Sequence, residues 1–112
     1  LLGGIDAVTV PARSPHGAHV FHQYTIRVRP DAKGGRDGLA AHLKSRGIPH
    51  AVYYPVPLHQ LPVFAGEAHS AGHGDLTETE RAAREVISLP MHTELTEEQL
   101  ERVSNAVIEY FA

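Results

Sequence analysis

Two short clusters in the sequence combine aromatic rings with groups that can form hydrogen bonds. Residues 19–24 read HVFHQY, and residues 53–59 read YYPVPLH. Aromatic bodies with polar tips are the composition expected around a ligand that carries a ring. The sequence therefore predicts a small-molecule site, with candidate residues His22, Gln23, Tyr53, Tyr54 and His59. The alternative is structural, with Tyr24 in the core and His22 as a hydrogen-bonded buried histidine.

Nine histidines raise the question of a metal site, but their spacing argues against one. His19 and His22 lie three residues apart on a predicted strand, so their side chains should leave opposite faces. His69 and His73 have helical i, i+4 spacing, yet the glycines around them disfavour a helix and no third ligand is evident. We predict no metal, and we keep a metal-binding module as a third and weaker alternative.

Covalent catalysis has little support in the sequence. Cysteine is absent, none of the five serines sits in a G-x-S-x-G setting, and no glycine-rich phosphate loop occurs. Lys33 lies in a glycine-rich turn and Lys44 on the polar side of a helix, whereas a Schiff-base lysine needs a desolvated pocket. We therefore expect no catalytic residue in this chain.

Composition narrows the class of protein further. Ten Lys and Arg stand against thirteen Asp and Glu, and the basic residues are scattered, which argues against a nucleic-acid partner. No apolar run approaches the roughly 20 residues of a membrane span, and no targeting segment is recognisable. The lack of cysteine fits a reducing compartment. We expect a cytoplasmic protein with no membrane partner.

The elements that must position the two clusters follow an α/β order. Apolar and polar residues alternate from Val20 to Val28, as in a strand with one buried face. A helix is predicted from Arg36 to Arg46 with Gly47 as its C-terminal cap. A second strand is predicted at His50–Tyr54, ended by Pro55.

The second half of the chain begins with a long connection at 55–76. We expect Ala65 to Gly74 to be its most mobile part, since this stretch has three glycines and no apolar periodicity. Capping boxes at Thr77–Glu80 and Thr96–Gln99 predict two helices, with a strand at 86–89 between them. The prediction is one domain, 1–112, a two-layer α/β sandwich in the order β-α-β-α-β-α, with 1–17 as a linker or lead-in strand.

Five segments together resemble one known family. HVFHQYTIRV, RDGLAAHLKSRGI, VYYPVPLH, ERAAREVISLPMH and LTEEQLERV occur in the order and spacing of the small C-terminal domain of DegT/DnrJ/StrS-type sugar aminotransferases. The resemblance runs from Ala18 to Phe111. It implies a pyridoxal phosphate (PLP) enzyme of fold type I that transfers an amino group, usually from glutamate, to a nucleotide-linked keto sugar.

The resemblance also implies that much of the enzyme lies elsewhere. In this family a large domain supplies the Schiff-base lysine, the aspartate facing the pyridine nitrogen and most phosphate contacts, and none of those segments is in this chain. Since the chain also starts at Leu1 instead of a methionine, we expect a fragment of a longer enzyme. We expect the fragment to be inactive alone and its parent to be a homodimer.

For the site, the resemblance implies that VYYPVPLH crosses the mouth of the active site, where prolines hold Tyr53, Tyr54 and His59. HVFHQY would lie on the adjoining strand, with His22 and Gln23 as polar contacts. The order of Gln60 and Leu61 departs from the family pattern, as does the glycine- and histidine-rich stretch after Phe64, so the identity of the sugar stays open.

Two other functions stay open as well. Some relatives lack the lysine and dehydrate the sugar instead. The alternative from a different functional class is a stand-alone, non-catalytic αβ module that binds a small molecule or has a regulatory function.

Overall fold

The computed structural model describes residues 1–64 and 74–112. Within these ranges the chain is mixed α/β, as predicted. Its strands form one antiparallel sheet in the order β1-β2-β3: β1 (Val8–Thr9), β2 (Tyr24–Val28) and β3 (Val86–Leu89). The helices of the described part are α1 (Gly35–Ser45), α2 (Thr77–Glu85) and α3 (Glu97–Phe111), with short 3-10 turns at Leu58–Gln60 and Pro62–Phe64.

The core lies between one face of the sheet and the helices. Tyr24 pairs with Leu89 and Ile26 with Ile87, so alternate residues of β2 and β3 share a face. The buried apolar residues of that face and of α1 and α3 form one cluster, which includes Ile26, Val28, Leu39, Leu43, Ile87, Leu89, Ala106 and Val107. Burial of this cluster is what fixes the register of the strands.

Two of the predicted helix ends are confirmed. After α1, Gly47 has φ of 66°, and the N–H groups of Gly47 and Ile48 donate to the carbonyl oxygens of Lys44 and Leu43 at 3.0 and 2.9 Å. These two hydrogen bonds together form a Schellman motif. Before α3, Thr96 and Gln99 exchange side-chain to backbone hydrogen bonds of 3.0 and 3.2 Å, the predicted capping box.

The capping box predicted at Thr77 and Glu80 is wrong. The α2 helix does begin at Thr77, but no side chain at its N-cap position bonds to the helix. The N–H of Thr77 donates to Oδ1 of Asp75 at 2.9 Å. The carboxylate of Glu80 bonds instead to His59, 21 residues earlier in the chain. A tertiary contact has therefore replaced the local one.

Both clusters depart from the predicted strands. The first strand begins at Tyr24, since Phe21 takes φ of 46° and Val20 is 86% exposed. A left-handed residue interrupts the extended backbone before that point. The predicted strand at His50–Tyr54 is reduced to Ala51, which exchanges hydrogen bonds of 3.1 and 2.7 Å with Ser88. Prolines flank this stretch and cannot donate to a ladder.

The described elements therefore run β1, β2, α1, α2, β3, α3. This differs from the predicted order β-α-β-α-β-α, because the strand predicted between the first two helices is reduced to the bridge at Ala51. The mobility predicted for 65–74 and the histidine pair His69 and His73 fall on 65–73, outside the described residues. No helix in the described part of the chain is long and apolar enough to cross a membrane.

Candidate functional site

A cavity of about 380 Å³ opens where the start of β2 meets the end of β3. Because Tyr24 pairs with Leu89, the residues before Tyr24 lie beside those that follow Leu89. The bridge between Ala51 and Ser88 brings a third segment to the same place. The cavity is lined by His22, Gln23, Pro49, His50, Ala51, Tyr53, Ser88, Leu89, Pro90 and Met91.

Three of the five candidate residues from the sequence meet at this cavity: His22, Gln23 and Tyr53. Tyr54 is next to Tyr53, with ring centroids 6.0 Å apart and a T-shaped arrangement, but it is 75% exposed and does not line the cavity. The peptide bond between these two tyrosines is cis. His59 lies further along the chain, against α2.

A local turn holds the first cluster in place. The N–H of Phe21 donates to Nδ1 of His19 at 2.8 Å, and the two rings stack with centroids 4.5 Å apart. The ring of Phe21 also packs against the ring of Tyr24, with centroids 5.5 Å apart. This turn leaves His22 and Gln23 exposed at the cavity, where their polar groups can bond to a ligand.

Three further polar or polarisable residues, not predicted from the sequence, line the cavity: His50, Ser88 and Met91. Nδ1 of His50 lies 3.1 Å from the carbonyl oxygen of Ile48, and since a carbonyl only accepts, Nδ1 must carry the proton. In the neutral ring Nε2 is then an acceptor. The hydroxyl of Ser88 bonds to that of Thr25 at 2.8 Å. Ser88 could be recognised as a lining residue only from the strand register, and that register depends on pairing across the sheet, which the sequence does not show.

The cavity combines hydrogen-bonding groups with apolar surface. Among the described residues that line it, none is Lys or Arg. Imidazole, amide, hydroxyl and phenol groups suit the hydroxyls and faces of a sugar or base. Phosphate groups of a ligand here would need cations from elsewhere.

Neither lysine of the chain fits the Schiff-base role that PLP requires. Lys33 is exposed, and its Nζ lies 5.4 Å from the ring centroid of Tyr110. Lys44 is exposed in the last turn of α1. Neither lines the cavity, and neither lies in the desolvated pocket that a Schiff-base lysine needs. In the described ranges no group of three or more His, Asp or Glu residues could hold a metal ion.

Comparison with known proteins gives the family. Residues 1–108 match the DegT/DnrJ/EryC1/StrS aminotransferase family. The chain belongs to this family. The match covers nearly the whole chain, including both clusters from which the cavity is built, so it confirms the resemblance found in the sequence.

Individual relatives support the assignment. The chain is 46% identical over 106 residues to the Pleiotropic regulatory protein of Geobacillus stearothermophilus, covering 95% of this chain and 27% of that protein. It is also 38% identical over 109 residues to dTDP-3-amino-3,4,6-trideoxy-alpha-D-glucose transaminase of Streptomyces venezuelae. That match covers 97% of this chain and 27% of the transaminase. The chain thus spans about a quarter of the length of these relatives.

A solved structure shares the fold. The crystal structure of S. venezuelae DesV in complex with a ketimine intermediate superposes with a TM-score of 0.82 at 38% identity, covering 97% of this chain and 28% of that one. The small mixed α/β unit is therefore an arrangement that also occurs as about a quarter of a longer chain.

Proposed function

We propose that this chain is the small C-terminal domain of a PLP-dependent aminotransferase that acts on a nucleotide-linked keto sugar. The observation that carries the proposal is the meeting of His22, Gln23 and Tyr53 at one cavity in a chain of this family. Those three come from two sequence segments that lie far apart in the chain and both pair with β3. A site assembled in this way is typical of ligand binding.

Each lining group has a role that its chemistry supports. The ring of Tyr53 offers an apolar face to a sugar or base, and the amide of Gln23 can both donate to and accept from sugar hydroxyls. The exposed imidazole of His22 adds a second polar contact. Tyr54 and His59 remain predicted substrate residues, and substrate binding in the complete enzyme is needed to test them.

The cofactor and the partners belong to the rest of the enzyme. Because neither Lys33 nor Lys44 fits, we propose that PLP is held by a lysine of a large domain outside this chain. We also propose glutamate as the amino donor and a homodimeric parent. The absence of Lys and Arg from the described lining agrees with phosphate contacts that come from outside this domain.

The test is turnover by the full-length protein that contains this chain. We expect release of 2-oxoglutarate from glutamate, together with an aminated product, for at least one member of a panel of nucleotide-linked 3-keto and 4-keto sugars. Gln23→Ala should raise the KM for that sugar and leave the KM for glutamate unchanged. If every sugar is inert while the protein binds PLP, the aminotransferase assignment fails.

A regulatory function is the second candidate, because the relative with 46% identity carries the name Pleiotropic regulatory protein. This chain covers 27% of that relative, so the name belongs to a longer protein. A stand-alone binding or regulatory module, by contrast, would lack a large domain. The coding sequence upstream of Leu1 decides between the two: a cofactor-binding domain with a lysine supports the enzyme, and a nearby start codon supports the module. A dehydratase would convert the sugar without consuming glutamate.

A further inference from the structure

Polar contacts fix the segment that follows the cavity to the domain, one at its start and one further along. We call residues 51–64 the arm. At its start, Ala51 pairs with the buried Ser88 of β3. Further on, the side chain of His59 bonds to Glu80 of α2 at 3.1 Å. Between these two points run the seven residues 52–58, which include Tyr53 and Tyr54.

Apolar packing alone holds this stretch weakly. The side chains of Tyr54, Val56 and Leu58 are 75%, 43% and 72% exposed. Within residues 52–58, Pro57 is the one that is buried. Surface that stays in water contributes little to holding a segment in place. Polar contacts with the rest of the domain therefore weigh more here than in the core.

Glu80 makes such a contact with the arm. Its carboxylate accepts from Nε2 of His59 at 3.1 Å, and Gln60 is the next residue of the arm. A carboxylate can only accept, so His59 must donate. The side chains of His59 and Glu80 are 20% and 37% exposed, so the pair is partly shielded from water. Hydrogen bonds to a charged acceptor are stronger than those between neutral groups.

The composition of the arm makes the second anchor effective. Pro55 and Pro57 fix two of the seven intervening φ angles near −65°. A short segment with fixed ends and fixed torsions has few remaining shapes. With the hydrogen bond to Glu80 removed, the arm would keep its pairing at Ala51 but would be held less firmly beyond it, so the ring of Tyr53 would sample more positions.

We propose that Glu80 is a positioning residue for the cavity, which holds the arm through His59 so that Tyr53 stays at the ligand. The proposal rests on the proposed function, since it assumes that the cavity takes the nucleotide-linked sugar. Glu80 itself touches neither the cavity lining nor the ligand in this account. Its effect is carried by the shape of residues 52–58.

The test compares Glu80→Ala, Glu80→Gln and Glu78→Ala in the full-length protein. Glu78 is a matched control, because it lies in the same helical turn, is 73% exposed and, in the part of the chain that the structure describes, pairs with Arg81 of the same helix at 3.2 Å. We expect Glu80→Ala to raise the KM for the sugar about tenfold with kcat changed less than about twofold, since ordered ground-state binding is lost. Glu80→Gln, which keeps an acceptor oxygen, should recover most of the loss, and Glu78→Ala should leave KM unchanged.

A second readout does not depend on activity. The N–H groups of Gln60 and Leu61 donate to the carbonyl oxygens of Pro57 and Leu58, so their hydrogen exchange reports on the arm. Exchange there should be about tenfold faster in Glu80→Ala than in Glu78→Ala. Equal exchange and equal KM in the two variants would overturn the proposal. An inert wild-type enzyme would instead overturn the proposed function, and exchange would still decide the role of Glu80.

Discussion

Replacing Tyr53 with alanine should weaken sugar binding by an amount that its exposure sets. Tyr53 is 47% exposed, so of the roughly 200 Å² that a tyrosine can bury, about 95 Å² remains available to a ligand. At about 25 cal/mol per Å², covering that surface is worth about 2 kcal/mol, or about thirtyfold in affinity. Part of that gain is offset by the cost of ordering the ligand, so we expect the KM for the sugar to rise tenfold to thirtyfold, as an order of magnitude.

The assay is steady-state kinetics of the full-length enzyme, with the melting temperature measured in parallel. Val56→Ala is the matched control, because Val56 is 43% exposed in the same arm but does not line the cavity. Tyr53→Phe should separate the ring from the hydroxyl and keep most of the affinity. If Tyr53→Ala and Val56→Ala change KM equally, the ring of Tyr53 does not contact the sugar and the reasoning from the cavity is refuted.

Three further predictions concern packing at Gly38, the pH dependence of stability and the site of cofactor attachment. Gly38→Ala should destabilise the protein by about 1 to 2 kcal/mol in chemical denaturation, because the new Cβ would collide with the hydroxyl of Tyr110. The cost of this collision should outweigh the higher helix propensity of alanine, and unchanged stability would contradict the prediction. The hydrogen bond from His59 and then that from Gln60 lower the pKa of the Glu80 carboxyl from 4.5, so its contribution to stability should be complete above that pH and disappear as pH falls through the lowered value. The difference in melting temperature between wild type and Glu80→Gln should therefore vanish in acid, and a difference that persists would contradict this. Borohydride reduction of the full-length protein with PLP should label neither Lys33 nor Lys44 in peptide maps.

Elements with local causes could be predicted from the sequence. The end of α1 at Gly47 depends on a glycine in the left-handed region, and the start of α3 depends on Thr96 and Gln99, three residues apart. The alternation from Tyr24 to Val28 follows from burial of one sheet face. In each case the residues that decide the structure are neighbours in the chain, so a pattern of a few residues carries the information.

What the sequence could not show depends on distant contacts. Glu80 has the spacing of a capping residue, yet its carboxylate bonds to His59 across 21 positions. Ser88 lies at the cavity because Ala51 pairs with it, a register that no local pattern specifies. The cluster at 19–24 looked like a strand from its alternation, and the left-handed Phe21 overrides that pattern. The candidate residues were named from composition, and their meeting at one cavity required the fold.

The most direct test of the proposed sugar site is a crystal structure of the full-length protein with PLP and a bound nucleotide-linked sugar. We predict that the sugar or base contacts Tyr53 and Gln23 within about 4 Å, the contact distance of packed side chains. We also predict that the lysine linked to PLP lies outside these 112 residues. A sugar nucleotide bound away from this cavity, or a cofactor linked to Lys33 or Lys44, would contradict the account.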